Sequence, residues 1–263
     1  MFRLLPNFGG EPRAVAEIVN GIMNGKTNNV GIVTLATGGA TTTTITDRRI
    51  GPDSILLLTP LTAAANTDSV PYGAFQDTTD QTITSTTTAY PMTFNTTDYA
   101  NGVSVVTSGG LASRLTVANA GTYNLQWSGQ FQNTDTQLHD VSVWLRKNGT
   151  DIAGSTGFIS IPNSHGGVDG HIIAGWNYFV EMAANDYIEI LWSATNTAIS
   201  IQHYPAGTSP TRPTTASVIA TLSYVNTSSS FNVFVSARGK GTATLTHFAN
   251  STADKTYGYV IVG

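Results

Sequence analysis

RLTVANAGTYNLQWSGQF (114–131) decides how this chain is read. From Tyr123 to Trp127 apolar and polar side chains alternate: Tyr123, Leu125 and Trp127 share one face, Asn124 and Gln126 the other. A period of two belongs to a strand with one face on a core. Two further stretches behave in the same way. In VSVWLRKNGTDI (141–152), Val141, Val143 and Leu145 oppose Ser142, Trp144 and Arg146; in NYFVEMAANDYIEILWSA (177–194), Ile188, Ile190 and Trp192 oppose Tyr187, Glu189 and Leu191. The first set of each strand suits the core of a sandwich. Trp144, Tyr187 and Leu191 then fall on outer faces, where large apolar groups need cover or form a sticky patch.

Strand patterns continue outward over about 67–225. On either side lie two groups of three short β-rich runs. VGIVTLA (30–36), TTTTITD (41–47) and SILLLTP (54–60) precede; FNVFVSA (231–237), GTATLTH (241–247) and KTYGYVIVG (255–263) follow. Neither group holds enough core to stand alone. Together they make one small sandwich, so the expected layout is a split β base domain (30–66 plus 231–263) with a domain at 67–230 inserted into it. An N-terminal segment, 1–29, carries the clearest helix signal at 11–24: Val15, Ile18, Val19, Ile22 and Met23 form one apolar stripe, Pro12 suits the first turn and Gly25 the stop. At this length the helix needs a docking partner, either its own β domain or another chain. The fold class is therefore all-β: a larger sandwich inserted into a smaller split β-sandwich, with one short amphipathic helix.

The three quoted stretches, in their order and spacing, resemble the jelly roll of the tumour necrosis factor and complement globular-head superfamily over roughly 70–225. Asn185–Asp186 stands where Gly-Asp is usual, a modest departure because asparagine tolerates left-handed backbone. A second resemblance is to bacteriophage virion proteins. TSPTRPTTASVIATLSYV (208–225) resembles the end of jelly rolls in phage appendages. TITDRRIGPDSILLLTP (44–60) with FVSARGKGTATLTHFANSTADKTYGYVIVG (234–263) resembles one small β domain of phage structural proteins. These resemblances imply a homotrimer whose threefold interface uses the outer aromatic face, hence Trp144, Tyr187 and Leu191. They also imply other virion proteins, of capsid or tail, as partners. The chain is then a fibre or appendage exposed on the particle, with a jelly roll that meets a host-surface glycan; the alternative is a decoration protein cementing the head at threefold positions.

Composition bounds the rest. Only 11% of the 263 residues are charged and the net charge is −4. Such a surface does not attract a phosphate backbone, which argues against nucleic acid. The chain has no cysteine, so disulfides and thiol chemistry are excluded. No apolar run reaches membrane-spanning length. MFRLLPNFGGEPR (1–13) lacks the apolar centre of a signal peptide, which suits assembly in a bacterial cytoplasm. A secreted lectin-like enzyme or toxin would call for such a signal and for a carboxylate or metal cluster. No nucleophile elbow or phosphate loop is present, so neither enzyme activity nor cofactor is expected. His165, Asp169 and His171 in HGGVDGH are close enough in sequence to hold a metal, yet read more simply as an exposed polar loop. Trp176, Tyr178 and Tyr204 are the candidate ligand-facing aromatics, expected on loops, where they would stack on sugar rings.

Overall fold

The computed structural model describes residues 11–25, 28–66, 70–225 and 233–263. Expectations that touch residues 1–10, the run beginning at Phe231 and the joins near 67 and 230 lie partly outside them. The chain separates into two compact units, Met1–Asp68 with Phe231–Gly263, and Ser69–Ser230.

Helix α1 (Pro12–Met23) leads to strands β1 (Val30–Thr34), β2 (Ala40–Thr46) and β3 (Ile55–Pro60), then a one-turn helix α2 (Ala63–Asn66). The second unit holds β4 (Tyr72–Asp77), β5 (Thr96–Asn101), β6 (Val103–Ser108), β7 (Leu111–Val117) and β8 (Gly121–Asn133). It continues with β9 (His139–Lys147), β10 (Gly157–Ile161), β11 (Gly170–Met182), β12 (Tyr187–Ala194) and β13 (Val218–Tyr224), besides several two- or three-residue pairings. Strands β14 (Val233–Gly239), β15 (Thr242–Asn250) and β16 (Thr256–Val262) close the first unit.

In the second unit, β5, β4, β13, β8 and β11 form one antiparallel sheet in that order. Strands β6, β7, β12, β9 and β10 form the other. The alternation read in the sequence sets the core. Tyr123, Leu125 and Phe131 of β8 meet Val141 and Val143 of β9 and Ile188, Ile190 and Trp192 of β12 in one buried cluster. Trp192 stands edge-on to Phe131, ring centroids 5.9 Å apart.

The turns hold the register. Asn148 (φ 49°) and Gly149 (φ 82°) make the left-handed pair that a two-residue hairpin needs. The Asn148 amide donates to Asp186 at 2.7 Å, and its carbonyl oxygen accepts from the Tyr187 N–H at 3.0 Å. One side chain thus ties the end of β9 to the start of β12. Asn185 is left-handed as well (φ 69°). At the start of β8, a Cβ on Gly121 would lie 2.2 Å from the Tyr224 ring, so only glycine leaves that ring room against Tyr123.

In the first unit, β1-β16-β3 and β2-β15-β14 are two three-stranded antiparallel sheets. Ile45, Leu56, Leu245, Tyr257 and Tyr259 are among the residues buried between them, drawn from both segments. His247, buried, donates from Nδ1 to the Phe248 carbonyl at 2.7 Å and faces the Thr43 hydroxyl at 2.8 Å through Nε2; a carbonyl only accepts, so the proton sits on Nδ1.

Asp47, after β2, accepts from the Arg49 backbone N–H at 3.0 Å, from the Arg49 guanidinium, and from the Tyr259 hydroxyl at 3.0 Å. The Arg49 hydrogen bonds, foremost, hold its carboxyl far below the usual carboxylate range. A depressed folded-state pKa stabilises the fold fully above the unfolded value of ~3.9 and is lost as pH falls below it. Asp47→Asn is therefore expected to lower the melting temperature at neutral pH. The gap to wild type should narrow as the pH drops through the acid range. Melts taken across that range check this, and a gap that stays constant would contradict it.

Candidate assembly surface

The three residues expected at a threefold interface, Trp144, Tyr187 and Leu191, do point outward from the β6-β7-β12-β9-β10 sheet, but they do not make a bare apolar face. Leu191 is only 2% exposed within its own subunit. Tyr187 is half-buried, with the Arg114 guanidinium 4.1 Å from its ring centre. Trp144 is also half-buried and lies opposite Leu191 in the ladder. Charged groups crowd the same face. Glu189 accepts from the Ser113 hydroxyl at 2.9 Å and lies 3.5 Å from Arg114; Arg146 pairs with Asp151 at 2.7 Å. That pairing, with help from the Trp144 indole, holds the Asp151 carboxyl below its usual range. Burying such ion pairs against a neighbour costs desolvation that a matching apolar surface avoids.

The bare face is on the other sheet. Its ladder aligns Tyr99, Ala74, Thr221, Gln126 and Asn177 across β5, β4, β13, β8 and β11. The next row is Asn101, Tyr72, Ser223, Asn124 and Phe179; on the other side Thr96, Gln76, Ile219, Ser128 and Gly175 form a third. None of these positions carries a formal charge; Asp98, which accepts from Gln76 at 2.7 Å, and Glu181 lie on the two edge strands. Tyr99 is 70% exposed, Phe179 59% and Ile219 46%, with Ile173 beyond them equally open. A missed signal lay in β11: at Ile172–Ile173 and Tyr178–Phe179–Val180 the alternation breaks and both faces are apolar, the pattern of a strand covered on both sides.

Two of the three candidate sugar-stacking aromatics are placed differently from expectation. Trp176 and Tyr178 lie in β11, not in loops, on its inward side. There is a mechanical reason: Trp176 folds over Gly157, where a Cβ would lie 2.1 Å from its ring, and so closes the open edge between β10 and β11. The cavity that they share with Trp127 and Ser155 is about 10 Å³, room for one water at most. Tyr204 lies elsewhere, within hydrogen-bond distance of His171 Nδ1 at 3.0 Å and edge-on to that ring; burial, foremost, pushes its hydroxyl pKa up. His171 is five residues from Trp176 along β11, roughly 17 Å, so the three aromatics form no single platform.

His165, Asp169 and His171 do not converge: Asp169 accepts from Gln132 at 2.8 Å while His171 meets Tyr204. Among the described residues no three His, Cys, Asp or Glu side chains gather as a metal site, and no helix is long and apolar enough to cross a membrane. No protein-family model matches the chain, and no curated protein matches it.

Proposed function

We propose that this chain is a structural protein of a bacteriophage virion, assembled in the bacterial cytoplasm. It works as a homotrimeric fibre or appendage on the particle surface, without enzymatic activity. The observation that carries the reading is the outer face of the β5-β4-β13-β8-β11 sheet, broad and studded with exposed Tyr99, Ile173, Phe179 and Ile219, with the carboxylates of Asp98 and Glu181 on its two edge strands. A monomer would leave that face wet, whereas obligate oligomers bury such surfaces. The resemblance to trimeric jelly rolls supplies the threefold count. The first unit is the base that attaches to other virion proteins. The jelly roll is the part that meets a host-surface glycan, with half-exposed Trp176 as the aromatic open to it.

Immunogold labelling of intact particles with antibody against the jelly roll tests the assignment. Label at discrete positions on the particle is expected; protein found only in the soluble fraction of a lysate would overturn it. Deleting the gene separates appendage from cement. An appendage leaves heads stable and impairs adsorption, while a decoration protein at threefold positions leaves heads that burst more readily.

A further inference from the structure

The first unit carries a second bare surface, distinct from the jelly-roll face. In the sheet β1-β16-β3, Tyr257, Tyr259 and Ile261 point into the core and their neighbours point out. Val30, Val260 and Leu57 line up across the outer face, Ile32, Gly258 and Thr59 beside them, then Val262 with Ile55. No charged side chain stands in these rows. Ile32 is 69% exposed and Leu57 58%, with Val30, Ile55, Leu61 and Val262 about half open. Gly258, at the centre, contributes no side chain, and Thr59 and Leu61 close over its place, so the outer face stays low and apolar.

Helix α1 has the complementary defect. Its stripe of Val15, Ile18, Val19, Ile22 and Met23 is left largely open, Met23 at 80%, and Ala14 is its one buried residue. The polar side, Arg13, Glu17, Asn20 and Asn24, lies opposite. A 12-residue helix is marginal without a partner.

We propose that α1 of each copy docks on the outer face of a second copy's β1-β16-β3 sheet. The sizes agree. The helix is roughly 18 Å long, and strands of five to seven residues are roughly 17–23 Å. Three strands are about 10 Å from outer axis to outer axis, the width of one helix. Uncharged stripe meets uncharged sheet face, and the polar side stays in water. Both surfaces are bare together in one chain, so the chain does not cover its own sheet. Passed from copy to copy, the contact closes into a ring. The inference rests on the homo-oligomer reading.

The absence of native cysteine makes a clean test. Full-length copies carrying Val19→Cys and copies carrying Leu57→Cys, with different tags, are co-expressed and oxidised. A second pair, Ile22→Cys with Ile32→Cys, covers a register in which the first thiols miss. A covalent dimer bearing both tags is expected for at least one pair. If neither pair links while the assembly keeps its threefold mass, the docking fails and the trimer stands. If the Val19→Cys/Leu57→Cys double variant closes its disulfide within single chains, the helix covers its own sheet and the exchange is wrong. A single-chain mass before oxidation would remove the trimer and the exchange together.

Discussion

Ile219→Glu is expected to turn the proposed trimer into single chains with an unchanged β-sheet circular dichroism spectrum. Ile219 stands between Gln76 and Ser128 on β13, the central strand of the face, and is half exposed. In a lone chain a glutamate there reaches water, so the fold loses little. In an assembly each copy buries a carboxylate with no cation in its row. The penalty is several kcal/mol per ion, and every 1.4 kcal/mol is tenfold in affinity. Association should weaken by roughly a hundredfold or more per contact. Ser142→Glu on the opposite sheet is the control. That face already holds Arg146 and Glu189, and the variant should stay assembled. Dissociation by Ser142→Glu with intact assembly in Ile219→Glu would move the interface to the Trp144 face.

Trp192→Ala is expected to lower the melting transition of the second unit by roughly 6–20 °C. Trp192 is essentially inaccessible and packs on Phe131 and Tyr90. Truncating a buried tryptophan costs about 3–5 kcal/mol, because the lost transfer energy is compounded by a cavity. Each kcal/mol is worth about 2–4 °C in a unit of this size. The core of the first unit, around Leu245 and Tyr257, is a separate cluster. Calorimetry should therefore show one transition moving and the other holding. A uniform fall of a single transition would show that the two cores melt as one.

The inward half of the fold was legible because burial acts on every second residue. Tyr123, Val141 and Ile188 announce the core by their spacing alone, and Asn148–Gly149 announces a hairpin by backbone sterics. The helix expected at 11–24 spans Pro12–Met23 for the same kind of local reason. The outward half was not legible, because cover depends on what neighbouring strands bring. Tyr187 and Phe179 look alike in sequence. Only the ladder shows that Arg114 lies over the first and that β11 and β8 leave the second in the open. Trp176 was misplaced for a related reason: an aromatic at a sheet edge takes its role from the Gly157 that it covers, which lies on another strand.

The central claim is that the β5-β4-β13-β8-β11 face is closed by two further copies of the same chain. Sedimentation equilibrium of the purified protein at low micromolar concentration tests it most directly. The account expects three times the mass of the 263-residue chain. A single-chain mass at that concentration would contradict it.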